Sequence, residues 1–188
     1  MPLQTVAVIG AGPAGRAFAL RCAAAGLDVV LEDVMPSNLR RAQDGYSALH
    51  TNAGSLRVAL TVEDAVREAD IVLDFVPDEL ESKLEIFSLL DRMAPPRTIL
   101  CTPTRTLSIT DLASCTYRPT LCIGLRSATQ NALESPLEII RSRFADPTAL
   151  SAVAALLNRL DIATAISDDV EEPMLVKNQT KHSQFPSS

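Results

Sequence analysis

A chain of 188 residues is long enough for one well-formed core and short for two. With 47% apolar and 21% charged residues, its composition is that of an ordinary soluble globular protein. The net charge of -6 excludes the basic face that nucleic-acid binding requires and gives no general attraction to anionic membranes.

In chain order, apolar runs alternate with helical stretches. "TVAVIG" reads as a short buried strand, and "PAGRAFALRCAAAG" as a helix that stops at Gly26. "DVVLED" is the next strand. "SNLRRAQDGYSALH" has helical character that Gly45 is expected to break, and "LRVAL" follows as a strand. Thr61, three residues before Asp64, predicts a cap on "VEDAVREA". "DIVLDFV" is a strand, and "DELESKLEIFSLLDRM" an amphipathic helix with Leu80, Leu84, Phe87 and Leu89 or Leu90 on one face. "RTILCT", a short capped helix "SITDLA" and the strand "TLCIGL" come next. After "SPLEIIRS", a helix "PTALSAVAALLNRL" and a last strand "IATAIS" complete the pattern. Strands that alternate with helices predict an α/β fold: a doubly wound, Rossmann-type, mostly parallel sheet with helices on both faces. One domain over residues 1–170 is expected, with 171–188 as a polar C-terminal tail.

The four cysteines form no CxxC pair and have no histidine at ligand spacing, so free thiols and no metal site are expected. The N-terminus has no signal-peptide pattern, and no apolar run approaches the roughly 20 residues that span a bilayer. A cytoplasmic protein is the expectation.

The chemistry-bearing motif is "GAGPAG". Gly10, Gly12 and Gly15 form G-x-G-x-x-G directly after a strand and at the start of a helix. The first glycine permits the tight turn, the second leaves room for a pyrophosphate, and the third lets helix and strand approach closely. The helix N-terminus, with Pro13 and Ala14 in the turn, offers free N–H groups and partial positive charge to the phosphates. Asp33 ends the second strand at the spacing for the adenosine ribose hydroxyls. It would repel a 2'-phosphate, and no Arg follows it closely, so NAD is favoured over NADP. Glu32 beside it keeps FAD open, because flavoproteins often carry Pro-Ala in the turn and Glu at this strand end. Neighbours on a strand face opposite ways, so only one of the two acids can point at the ribose.

Downstream, "ADIVLDFVPDELESKLEIFSLLDRMAPPRTILCTPTRTLSITDLA", "RPTLCIGL" and "SPLEIIRS" together resemble the NAD-binding domain of the L-3-hydroxyacyl-CoA dehydrogenases, over residues 4 to 170. The resemblance implies NAD as cofactor, with Gly10, Gly12, Gly15 and Asp33 as contacts and with Asp74, Val76 and Lys83 near the ribose and nicotinamide end. It also implies hydride transfer at C3 of an acyl-CoA, with a His as general base and a Glu that orients it. Here the chain departs. "GLRSATQ" places Arg126 where the family has the His, and an Arg is no base near neutrality. "PTRTLS" places Pro103, Arg105 and Thr106 where the family has an Asn and two Ser, whereas Glu138 in "PLEII" keeps the position of the orienting Glu. "EEPMLVKN" puts Val176 at a further family Asn, and the stretch 36–60 is shorter than the family's CoA-contacting hairpin. The family's helical C-terminal domain is not expected in this chain, which predicts an exposed apolar face met by a second copy or a partner protein.

Two functions follow as expectations. One is a dinucleotide-binding module that has lost the dehydrogenase chemistry. The other is an oxidoreductase in which Arg126, Glu138 and Thr106 form an altered pocket and the Arg clamps a small carboxylate. Plainer roles stand beside these: an Arg126–Glu138 ion pair that fills space, Thr106 as a helix cap, Arg105 on the surface, and Lys83 on a solvated helix face.

Overall fold

A computed structural model describes residues 2–49, 54–127, 133 and 135–169. Eight strands form one sheet: β1 (Thr5–Ile9), β2 (Asp28–Glu32), β3 (Ser55–Ala59), β4 (Ile71–Asp74), β5 (Ile99–Pro103), β6 (Cys122–Ser127), β7 (Leu137–Arg141) and β8 (Thr164–Asp168). Their order is β3-β2-β1-β4-β5-β6-β7-β8. The first six run parallel, whereas β7 pairs antiparallel with β6 and parallel with β8. The expected mostly parallel sheet is therefore present, and the change in direction begins at "SPLEIIRS".

Helices α1 (Pro13–Ala24), α2 (Pro36–Ser47) and α6 (Pro147–Arg159) contribute to one core cluster, on the sheet face that carries Val6, Val8, Leu31 and Leu73. Helices α3 (Val62–Val66), α4 (Leu80–Met93) and α5 (Ile109–Ser114) build the other, against Ala7, Ile9, Val72 and Leu100. The central strand β4 is buried on both faces, which is why "IVLD" carries apolar residues without alternation until its last position.

Four local expectations need correction. Helix α2 runs through Gly45 without a break. A Cβ there would sit 2.8 Å from a Leu20 methyl of α1, so the glycine serves the close approach of the two helices. Ser108, and not Thr106, caps α5 by accepting the Asp111 N–H at 3.1 Å, and Thr106 is exposed in the preceding loop. Helix α4 buries Lys83 together with Ile86, Phe87 and Leu90, so Lys83 lies on no solvated face. Arg126 and Glu138 are register partners across β6 and β7, yet no ion pair joins them. Thr61 caps α3 as expected, accepting the Asp64 N–H at 3.1 Å. Among the described residues the cysteines are free, no group of metal-ligating side chains occurs, and no helix is long and apolar enough to cross a membrane. Residues 170–188, with "EEPMLVKN" and Val176, lie outside the described residues, apart from that segment's surroundings up to Asp169.

Candidate functional site: a glycine turn and a cavity at the strand ends

The turn between β1 and α1 sits at the C-terminal ends of the parallel strands, where strand order reverses between β1 and β4. Ligands of open α/β sheets bind at such a point. Each glycine answers a different demand. Gly10 has φ +98°, a left-handed conformation that costs a side-chain-bearing residue, and its N–H donates to the Glu32 carbonyl at 2.8 Å. A Cβ on Gly15 would run into the Gly10 carbonyl oxygen and the Phe75 ring. A Cβ on Gly12 would meet nothing within 4 Å, because that position faces the open cavity. Two of the glycines are thus required by the fold itself. The third keeps a space clear at the N-terminus of α1, as a pyrophosphate held by backbone N–H groups requires.

The two acids at the end of β2 separate as their alternation demands. Glu32 is buried, and burial together with the neighbouring Asp33 charge pushes its carboxyl above the usual range. Asp33, half-exposed, turns toward the glycine loop: its Oδ2 accepts the Ala11 N–H at 2.6 Å and Asn38 Nδ2 at 3.2 Å, and its Oδ1 accepts the Met35 N–H at 2.7 Å. The carboxylate therefore shapes the turn, and with roughly four lone-pair sites it retains capacity for a ribose hydroxyl.

A cavity of about 280 Å³ opens beside the turn. Gly12, Pro13, Ala14 and Gly15 form one wall, Phe75, Val76, Asp78 and Lys83 the floor and side, and Pro103, Thr104, Arg105, Leu125, Ser127 and Leu133 the far wall. Beneath it, Lys83 Nζ lies 2.7 Å from Asp74 Oδ1, and the two side chains are 1% and 0% exposed. Burial pushes the Asp74 carboxyl up, against the opposing pull of the Lys83 ammonium and the Thr102 hydroxyl. Such a pair contributes little net stability, since desolvation costs about what the attraction returns, but removing one partner strands a buried charge.

Of the sequence-derived cofactor residues, Gly12, Pro13, Ala14, Gly15, Val76 and Lys83 line this cavity. Gly10 packs against Gly15 and Asp74 pairs with Lys83, both lining residues, whereas Asp33 reaches the turn through Ala11. The candidates for an altered pocket do not come together there. Leu125 and Ser127 line the cavity, and Arg126 between them does not, as strand alternation requires. Its Nε is buried without a hydrogen-bond partner. Glu138, opposite it, is exposed. Sequence reading missed Phe75, Asp78, Thr104, Leu125, Ser127 and Leu133, and placed Arg105 simply on the surface. The signal for most of them was topological: they sit at or just beyond the C-terminal ends of β4, β5 and β6, the same end of the sheet as the glycine turn.

A doubly wound sheet with a glycine turn at its switch point defines the chain as a Rossmann-type dinucleotide-binding domain. Residues 5–169 match the family model for the 3-hydroxyacyl-CoA dehydrogenase NAD-binding domain, and the chain belongs to that family. It is 30% identical over 184 residues to a probable 3-hydroxybutyryl-CoA dehydrogenase of Bacillus subtilis, covering 89% of this chain and 64% of the relative. It is 26% identical to the 5-formyl-3-hydroxy-2-methylpyridine 4-carboxylate 5-dehydrogenase of Mesorhizobium japonicum, covering 94% and 61%. The solved structure of a (S)-3-hydroxybutyryl-CoA dehydrogenase from Ralstonia eutropha superposes with a TM-score of 0.79 at 22% identity, covering 89% of this chain and 64% of that one; it shows the shared fold. The chain thus spans less than two thirds of the length of these relatives.

Proposed function

We propose that this chain binds NAD(H) in the cavity beside the glycine turn and does not carry out the family's 3-hydroxyacyl-CoA dehydrogenase reaction. The observation that carries the binding half is the clear space at Gly12, within a turn whose other glycines the backbone itself demands. NAD, when bound, supplies the hydride acceptor. The chain's own residues supply the cradle: N–H groups at the start of α1 for the pyrophosphate, and Asp33 for the adenosine ribose. Asp74, Val76 and Lys83 serve the ribose and nicotinamide end. FAD is disfavoured because Glu32, the acid a flavoprotein would use, is buried away from the turn, and NADP because Asp33 would repel the 2'-phosphate.

Absence of the base carries the other half. A dehydrogenase needs a group of pKa near neutrality within hydrogen-bond reach of the substrate hydroxyl. Arg126 holds the position that the family resemblance assigns to that base, and a guanidinium stays protonated throughout. The chain's two histidines, His50 and His182, stand at other sequence positions than this one. A second reading is an oxidoreductase of changed specificity, acting on a small carboxylate-bearing hydroxy or oxo compound. It is favoured by Arg105 in the cavity wall, whose guanidinium has no partner among the described residues, and by the likeness to a pyridine-carboxylate dehydrogenase.

Thermal-shift titration with NAD, NADP and FAD tests the cofactor assignment. NAD at millimolar concentration is expected to raise the melting temperature by several degrees, as binding to the folded state alone requires, with NADP and FAD giving little. No shift with NAD, or an equal one with NADP, would overturn it.

A further inference from the structure

Two cations line the cavity, and they are not equivalent. Lys83 is already neutralised by Asp74 at 2.7 Å. The Arg105 guanidinium enters no ion pair and no hydrogen bond among the described residues; only its backbone N–H meets a carboxylate. Among the described residues that line the cavity, it is therefore the cation whose guanidinium is unpaired.

The loop that presents it is held at three points. The Arg105 N–H donates to Asp78 Oδ2 at 2.8 Å, across the cavity from the β4–α4 connection. The Thr104 N–H donates to the Leu125 carbonyl at 3.0 Å, and Thr104 Oγ1 accepts the Leu107 N–H at 3.0 Å. Thr104 is itself buried, so the residue just before Arg105 is fixed in the core while Arg105 stands exposed at the rim. Asp78 orders the loop through a backbone N–H and makes no ion pair with the guanidinium, whose donors stay open to a ligand.

Position along the sheet says which part of a ligand Arg105 meets. The glycine turn at β1 fixes the pyrophosphate, and Asp33 at β2 fixes the adenosine end. The end of β5, two strands from β1 on the opposite side, then faces the nicotinamide half and whatever compound lies against it. The walls there are apolar: Val76, Pro103, Leu125 and Leu133. A small organic anion fits this combination, with its carboxylate on the fork of donors and its carbon chain against the apolar wall.

We infer that Arg105 is the anion-recognising residue of this cavity, and that the compound seated against the nicotinamide is a small carboxylate. This rests on the proposal that NAD(H) occupies the cavity. It requires binding only and is independent of turnover.

The test is calorimetric titration of the intact chain, first with NADH, then of the NADH complex with acetoacetate, methyl acetoacetate and coenzyme A in separate runs. Acetoacetate is expected to bind at least tenfold more tightly than its methyl ester. Arg105→Gln should remove that preference, while the affinity for NADH stays within about twofold, as loss of one charge-assisted hydrogen-bonded pair implies. Arg105→Lys should restore part of it, since a point charge replaces the planar fork. Equal binding of acid and ester, or an Arg105→Gln variant that keeps the preference, would overturn the inference. So would tenfold weaker NADH binding in Arg105→Gln, which assigns the guanidinium to the cofactor's phosphates, or Arg105-dependent binding of coenzyme A alone. If NADH itself does not bind the wild-type chain, the reading of the cofactor site fails instead, and the two failures are told apart by the first titration.

Discussion

The two ends of this sheet contrast in how they hold their chemistry. From β2 to β4 the cofactor cradle is made of backbone: a left-handed Gly10, a Gly15 pressed against the Gly10 carbonyl, and an Asp33 whose carboxylate ties β2 to the turn. From β5 to β7 the positions that the family resemblance marks for chemistry are single side chains near strand ends, and there the chain has Pro103, Arg105, Thr106 and Arg126. A backbone device is hard to lose without losing the fold, since two of its three glycines are needed for packing alone. A catalytic base can be lost by one substitution that the sheet does not register. The difference teaches that a backbone cradle tolerates substitution less readily than a site made of single side chains.

Several substitutions break or sharpen this contrast. The largest effect is expected at the buried pair under the cavity. Lys83→Met should cost about 3–5 kcal/mol, measured by urea unfolding, because it strands the Asp74 carboxylate in the core. The double variant Lys83→Met, Asp74→Leu should recover most of that stability yet bind NADH more weakly than wild type.

The glycine turn comes next. Gly15→Ala should destabilise the fold by roughly 3 kcal/mol through overpacking against the Gly10 carbonyl. Gly12→Ala should leave the melting temperature almost unchanged, because its Cβ enters open space, while NADH affinity falls at least about tenfold, some 1.4 kcal/mol. Similar loss of stability in both would erase the distinction between a glycine kept for packing and one kept for the ligand.

A smaller effect depends on pH. Burial raises the Glu32 carboxyl above its ordinary 4.5 in the folded chain. A raised folded pKa means that the stability linked to Glu32 is fully present below the unfolded value and is lost as pH rises through the folded one. Glu32→Gln should therefore melt higher than wild type at neutral pH, by on the order of 2 °C, with the gap closing toward pH 4. The smallest effect is expected at Arg126. Its Nε has no partner and its side chain does not line the cavity, so Arg126→Ala should alter stability by less than about 1 kcal/mol and leave NADH affinity unchanged.

Legibility in the sequence divides along the same line. The first strand, the glycine turn and the acid after the second strand could be read because their spacing is a local signal. The family resemblance also assigns Arg126 to the position of the base, from one letter in a recognisable segment. The burial of Lys83 could not. Its helix is amphipathic, and a lysine on such a helix defaults to solvent unless one knows that Asp74 ends the adjacent strand facing it. Likewise "DGYS" reads as a helix end because glycine is a poor helix former, whereas tertiary approach of Leu20 to Gly45 decides the matter. Thr106 and Ser108 are both plausible caps, and only the path of the loop, fixed by Thr104 and Asp78, selects Ser108. Arg105 was unremarkable in sequence for the same reason: its significance comes from a loop pinned beside a cavity formed by distant strands.

The central claim is a working cofactor cradle without the family's base. The most direct test mixes the NADH-loaded chain with acetoacetyl-CoA in stoichiometric amounts and follows nicotinamide absorbance through a single turnover. The account predicts saturable NADH binding that Gly12→Ala weakens, with no oxidation above the protein-free blank. Oxidation of one equivalent of NADH by the wild-type chain, abolished in Gly12→Ala, would contradict it.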